Sequence, residues 1–198
     1  MRVLVAGATG KTGSRLVRAL TAGGHSPVAM VRDRADADGF GADVETRQAD
    51  LTDLPETICD GCEAVVFAAG SGGSTGEDMT DKVDRDGARA LIDLAASARV
   101  SRFVMLSSAG AGDPDPDSDL APYLKAKHDA DEHLKRSGLS YAILRPVALT
   151  EEDGQGRIRF GDDVDPQGEA ARGDVATVLA NAVDAPDWDR DVRLMQSL

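Results

Sequence analysis

Cysteine is scarce: Cys59 and Cys62 are the only two in 198 residues. Two are too few for a structural zinc site. Their spacing, Cys-Asp-Gly-Cys, can serve as a redox pair in a cytosolic chain. Such motifs sit after a strand at a helix start, whereas this pair precedes a strand, so two small buried or turn thiols are expected. Basic charge is short as well, with 22 Lys and Arg against 35 Asp and Glu and a net charge of −13. That surface should repel nucleic acid and anionic membranes, so neither is expected as a partner. The acid is mostly Asp, and Arg far outnumbers Lys. This suits a high-salt environment, where self-repulsion is screened; a merely acidic protein of ordinary salt is the standing alternative. No apolar run is long enough to span a bilayer. Met1-Arg2 leads straight into an apolar strand, so no signal peptide and a cytoplasmic location are expected. Internal repeats and linkers are lacking, and the length fits one domain. No metal site is expected: His128 and His133 lie five apart, the wrong spacing for two ligands on one helix face.

What is present begins at the first residues. The apolar run Val3-Leu4-Val5-Ala6 ends in Gly7-Ala8-Thr9-Gly10-Lys11-Thr12-Gly13, and a helical pattern opens near Gly10. Strand, glycine turn and helix in that order make the context of a dinucleotide-binding fingerprint. Gly7 permits a sharp turn off the strand, Gly10 lets backbone approach a pyrophosphate, and Gly13 lets helix pack on strand. Free N–H groups at the helix start, around Lys11 and Thr12, would face the phosphates. Gly10-Lys11-Thr12 ends like the phosphate loop of nucleotide hydrolases, but that loop needs a glycine where Val5 stands.

The rest of the chain alternates. The first helix should run to about Ala22, with strands over Pro27–Val31, Val44–Ala49, Ala64–Ala68, Arg102–Leu106 and Tyr141–Leu144. A short helix is expected near Asp53, a flexible loop and candidate lid over Ser71–Gly76, and a long helix over about Asp78–Ala98. Another helix should carry Tyr123 to about Arg136. The stretch Thr150–Ala171 reads as irregular and polar, followed by a helix from Gly173 to about Val183 and a last strand within Asp187–Met195. This predicts an α/β fold: a doubly wound parallel sheet in three αβα layers, one domain, with residues of about 146–172 as a small substrate-side segment. The acidic run Asp113–Asp117 reads as solvated loop.

Two sets of residues carry chemistry. Arg32 ends the second strand, where NAD-binding folds usually place an acid for the ribose hydroxyls. A guanidinium pairs with a 2′-phosphate instead, with Lys11 as a second charge, so NADP is the expected cofactor, with NAD open. Asp33, one residue late, should point away. Small residues Ala68, Ala69 and Gly70 after the fourth strand allow a ribose to lie against the backbone. Tyr123-Leu124-Lys125-Ala126-Lys127 places a phenol and an ammonium on one helix face. The ammonium favours the phenolate, and the phenol can then exchange a proton with a carbonyl oxygen as hydride moves. Ser108, or Ser107 as alternate, ends the fifth strand and could hydrogen-bond the substrate oxygen.

Together the glycine turn, Phe103–Ser108, Tyr123, Lys127 and Ile143-Leu144-Arg145-Pro146 resemble the short-chain dehydrogenase/reductase superfamily, in particular its compact atypical, Rossmann-fold group with biliverdin-reductase-B-like and NmrA-like members. The resemblance implies that Gly7, Thr9, Gly10, Lys11, Thr12 and Gly13 hold the cofactor, that Asp50 and Leu51 flank the adenine, that Lys127 binds the nicotinamide ribose, and that Pro146 and Val147 line the nicotinamide pocket. It implies an NADP-dependent oxidoreductase acting on a small carbonyl or conjugated molecule. A cofactor-sensing regulator and an NAD-dependent sugar epimerase or dehydratase are the alternatives. Ala109, where epimerases often carry Ser or Thr, weakens the last. Monomer or dimer stays open.

Overall fold

The computed structural model describes residues 1–41, 43–70 and 80–198. The residues expected to form a lid, Ser71–Gly76, lie outside them. An eight-stranded sheet runs in the order β3-β2-β1-β4-β5-β6-β10-β8. Its strands are β1 (Arg2–Ala6), β2 (Ser26–Val31), β3 (Glu45–Gln48), β4 (Ala64–Phe67), β5 (Arg102–Leu106), β6 (Tyr141–Pro146), β8 (Ile158–Phe160) and β10 (Asp191–Ser197). All neighbours are parallel except β8, which runs antiparallel to β10.

Both faces are covered, so the central strands are apolar throughout rather than alternating with polar residues. Val3 and Val5 face one core, with Leu16 and Leu20 of α1 (Lys11–Ala22) and Val175 and Leu179 of α4 (Arg172–Asn181). Leu4 and Ala6 face the other, with Leu91 and Ile92 of α2 (Ala88–Ser97) and Ala130 and Leu134 of α3 (Ala121–Arg136). Each wholly buried leucine contributes roughly 1.5–3 kcal/mol. This is a Rossmann-like single domain of three layers. The chain runs outward from β1 to β3 and then returns to β4 on the other side of β1. Ligands in this architecture bind where the order reverses, beyond the strands' carboxyl ends.

Three segments differ from expectation. No helix forms near Asp53; turns and an Asp50–Asp53 bridge take its place. The Asp50 carboxylate satisfies the Thr52 amide, and Pro55 disfavours a helical residue before it. The long helix opens with a π-helical stretch, Asp81–Gly87, before α2. Its beginning, at residues 78 and 79, lies outside the described residues. Gly87 in this wider turn sits so close to Leu51 that a Cβ would lie 2.9 Å from the Leu51 Cβ. Finally, the stretch expected to be irregular, Thr150–Ala171, holds two short strands and the end of a third. β7 (Ala148–Thr150) pairs with β9 (Glu169–Ala171) in a separate parallel ladder, and β8 caps the main sheet's edge. Three residues are too few to show a strand's alternation.

Candidate active site

A cleft of about 900 Å³ opens where the strand order reverses. That volume suits a ligand of dinucleotide size. The glycine turn forms its floor. Gly7 has φ +83°, and a Cβ there would stand 2.6 Å from the Ala69 amide nitrogen. A Cβ on Gly13 would meet the Gly7 carbonyl oxygen at 1.9 Å, so α1 can pack against the turn only without one. Gly10 differs: among the described residues a Cβ would touch only the Gly7 oxygen, at 3.2 Å, and its other side faces the cleft. Gly10 has no side chain with which to cap α1, so the first amides of the helix remain to receive an anion. A close backbone cradle beside an uncapped helix start is what a pyrophosphate group requires, and the residues present fit it.

Gly7, Thr9, Gly10, Lys11 and Thr12 line the cleft, as do Arg32, Asp50, Leu51, Ala68, Ala69 and Gly70. Gly13 is buried behind the turn. Arg32 stands exposed at the end of β2. Asp33 is occupied elsewhere, accepting the Ala35 amide at 3.2 Å as the cap of a 3₁₀ turn. The Asp50 carboxylate accepts from the Thr52 amide at 2.8 Å and the Thr52 hydroxyl at 2.7 Å. Those bonds, with Arg32 nearby, hold it below the ordinary carboxylate range. Pro146 and Val147 do not reach the cleft. They lie buried in the sheet, where β10 pairs alongside β6, and Leu149 lines the cleft from that segment instead.

Tyr123, Lys127 and Asp131 follow one another at four-residue steps along one face of α3. Tyr123 and Lys127 line the cleft. The Lys127 ammonium lies 5.8 Å from the Tyr123 ring centre and 5.6 Å from that of Phe67. It pairs with Asp84 of the π-helical turn at 2.9 Å and donates to the carbonyls of Ala69 and Leu106 at 3.3 and 3.4 Å. Burial opposes this charge, but the carboxylate of Asp84, with Tyr123 and Asp131, outweighs burial and holds Lys127 above its ordinary value. Asp84 gave no signal in the sequence beyond being one aspartate among many.

Of the two serines, Ser107 is on the cleft lining and Ser108, the first choice from sequence, is not. Ser108 Oγ donates to the Ala109 carbonyl at 3.2 Å. Ser107 Oγ donates to Asp131 Oδ2 at 2.8 Å, and Arg145 reaches the same oxygen through Nε and Nη2 at 3.0 and 2.9 Å. Among the described residues Asp131 Oδ1 is buried without a hydrogen-bond partner. Burial pushes the Asp131 carboxyl up, and Arg145 and Ser107 counter only part of that. The Ser107 hydroxyl has one proton and gives it to Asp131, so toward the cleft it offers lone pairs.

Arg172, the first residue of α4, also lines the cleft and donates to Thr12 Oγ1 at 2.9 Å. The sequence pattern predicts a helix start one residue later, at Gly173, and does not single out Arg172. Its signal is topological: α4 lies beside α1, which brings its start next to the glycine turn.

The remaining candidates lie apart. Cys59 and Cys62 are free, buried and outside the cleft lining. Burial raises both thiols, Cys59 to about 12, which disfavours the reactive thiolate. His128 contacts the Ala111 carbonyl at 2.8 Å and His133 contacts Asp93 at 2.7 Å. Among the described residues no group of three or more His, Cys, Asp or Glu is placed to hold a metal, and no helix is long and apolar enough to cross a membrane.

The chain is similar to known proteins. The model of an NAD(P)H-binding family matches residues 7–186. The chain is 43% identical over 190 residues to an uncharacterised sugar epimerase of Bacillus subtilis, YhfK, covering 91% of this chain and 87% of that one. A solved Bacillus halodurans protein, provisionally named an NAD-dependent epimerase/dehydratase, superposes with a TM-score of 0.94 at 36% identity, over 100% of this chain and 94% of its own. The anaerobillin reductase ChuY of Escherichia coli O157:H7 superposes with a TM-score of 0.85 at 25% identity, over 100% and 97%.

Proposed function

The chain belongs to the NAD(P)H-binding family, and on that premise we propose that it is an NADP-preferring oxidoreductase acting on a small carbonyl or conjugated substrate. One observation carries the reading: Tyr123 and Lys127 line the same cleft as the glycine turn. A bound nicotinamide supplies or takes the hydride. Tyr123 gives the proton to the substrate oxygen in reduction, or takes it in oxidation, and that oxygen ends as a hydroxyl or a carbonyl accordingly. Lys127 orients the phenol. Its field on Tyr123 is partly offset by Asp84 at 2.9 Å, so it acts more as a fixed support than as a free charge. Its donors to Ala69 and Leu106 are long, at 3.3 and 3.4 Å, and either can be given up to a ribose hydroxyl. Ser107 accepts a hydrogen bond from the Tyr123 hydroxyl or, in the oxidation direction, from the hydroxyl of an alcohol substrate. Arg32 selects NADP by pairing with the 2′-phosphate. The β7–β9 ladder and the residues between form the substrate-side wall. The cytoplasm is the proposed location.

A screen of small aldehydes, ketones and conjugated carbonyls, followed by NADPH absorbance, tests the reading. Tyr123→Phe should keep cofactor affinity and lower turnover by roughly two to four orders of magnitude. Full turnover in that variant would remove Tyr123 from the mechanism. The names of the Bacillus relatives favour a second reading, an NAD-dependent epimerase. That enzyme retains its cofactor through each cycle, so a readily exchanged dinucleotide and net NADPH consumption would exclude it.

A further inference from the structure

Glu151 and Arg172 are brought together by the short parallel ladder. β7 and β9 pair in the register Thr150 to Ala171, so the next residue of each, Glu151 and Arg172, emerges at the same end. One oxygen of Glu151 takes two cations of the cleft: Oε1 accepts from Lys11 Nζ at 2.7 Å and from Arg172 Nε at 3.2 Å. Arg172 Nη1 donates to Thr12 Oγ1 at 2.9 Å. Lys11, Thr12 and Arg172 all line the cleft beside the uncapped start of α1.

The backbone under this corner is firmly held. Arg15 of α1 reaches the Glu151 carbonyl at 2.6 Å and the Asp153 carboxylate at 3.0 Å. Gly173 packs so closely that a Cβ would lie 1.9 Å from the Asp153 carbonyl oxygen. The Glu151 side chain, by contrast, lies at the surface, with 56% of its area exposed. It can turn into water while the backbone beneath it stays in place.

We propose that Lys11, Thr12 and Arg172 form a phosphate subsite and that Glu151 is its built-in competing anion, displaced when a dinucleotide's phosphates bind. The proposal rests on the dinucleotide reading of the cleft. Two cations converging on a single carboxylate oxygen leave donors underused. A phosphate brings more charge and more acceptor oxygens to the same donors, and it also meets the free amides of α1. The pyrophosphate is common to NAD and NADP. Removing Glu151 therefore tightens both by the same factor, whereas Arg32, at the end of β2, acts on NADP alone.

Calorimetric titration of the wild type, Glu151→Gln and Arg172→Met tests this, with NADPH, NADH and inorganic pyrophosphate as probes at low and high potassium chloride. Thermal melts check that each variant is folded. Glu151→Gln should bind all three about three-fold more tightly at low salt, the scale of one exposed ion pair released, and the gain should shrink at high salt. Arg172→Met should weaken all three by roughly ten-fold, the scale of a charge-assisted bond. Unchanged or weaker binding by Glu151→Gln overturns the proposal. So does a gain confined to NADPH, which would put Glu151 at the 2′-phosphate. If pyrophosphate follows the expected pattern while no dinucleotide binds, the subsite stands and the dinucleotide reading falls.

Discussion

Lys127 and Asp84 form an ion pair at 2.9 Å with almost no exposed side-chain surface, 4% and 0% respectively. The two come from separate elements, the middle of α3 and the π-helical turn before α2. The pair therefore ties the helix bearing Tyr123 to the neighbouring element of the same helical layer. A buried pair gains little over an apolar replacement, but loss of one partner strands the other charge. Lys127→Met and Asp84→Asn should each cost about 3–5 kcal/mol, and the double variant should cost clearly less than their sum. Urea unfolding of the four proteins closes the cycle. Additive losses would mean the two side chains are not coupled. Loss of turnover in a Lys127 variant thus has a structural component, and cofactor affinity must be compared on folded protein only.

The same pair sets a pH window. Lys127 is held above its ordinary value of 10.5 in the folded protein. Its contribution is therefore fully present below about pH 10.5 and is lost as pH rises through the higher folded value. The stability gap between wild type and Lys127→Met should be constant from neutral pH to about pH 10 and should narrow above it. Thermal melts of both proteins across that range measure the gap. A gap that widens with alkali would contradict the assignment of charge.

The three glycines of the turn should separate fold from binding. Gly13→Ala places a Cβ 1.9 Å from the Gly7 carbonyl oxygen, so α1 must move and the protein should melt well below wild type. Gly10→Val meets only one backbone oxygen, at 3.2 Å for its Cβ, and otherwise projects into the cleft. It should stay folded and lose dinucleotide binding by calorimetry. Equal loss of stability in both would show that Gly10 is also a packing glycine.

Much of this was legible in the sequence. Val3–Ala6 followed by Gly7, Gly10 and Gly13 announces strand, turn and helix because each glycine answers a separate steric demand. The alternation that follows gives the parallel sheet. The four-residue spacing of Tyr123 and Lys127 puts both on one helix face. What escaped depends on contacts distant in sequence. Asp84 is 43 residues before Lys127 in the numbering, and it is a buried residue of the π-helical turn. Arg172 matters because α4 packs beside α1. Pro146 and Val147 are buried where β10, a strand near the chain's end, joins the sheet beside β6, and neither is among the residues that line the cleft. Ser107 and Ser108 are adjacent on a chain leaving a strand, where successive side chains point to opposite sides, so sequence alone could not choose between them.

The proposed NADP preference rests on Arg32. NADPH should bind more tightly than NADH, and Arg32→Asp should reverse the order by removing a charge-assisted pair and adding repulsion. Titration of both cofactors against both proteins measures it. Equal affinity in the wild type would show that Arg32 is a solvated strand-end charge. Asp33 is no substitute for the missing acid, because its carboxylate caps the turn at Ala35.

The serines give the sharpest test of the catalytic geometry. Ser107 lines the cleft and is oriented by Asp131, which Arg145 holds in turn. Ser108 bonds its own neighbour's carbonyl and stays off the cleft. Once a substrate is found, Ser108→Ala should turn over within about two-fold of wild type. Ser107→Ala should lose roughly ten-fold in turnover, the scale of one lost hydrogen bond that positions the Tyr123 hydroxyl. It should also shift the pH profile. Without the Ser107 hydroxyl, Asp131 loses one of the bonds that counter its burial, so its carboxyl rises further and takes up a proton at higher pH. A protonated Asp131 holds Arg145 less firmly, so the acid limb of the variant should move to higher pH. Ser107→Thr, which restores the hydroxyl, should recover the wild-type limb. If instead Ser108→Ala is the damaged variant and Ser107→Ala keeps both rate and pH limb, the substrate oxygen sits beyond Ser108 and the reacting group lies outside the cleft as drawn from Tyr123 and Lys127.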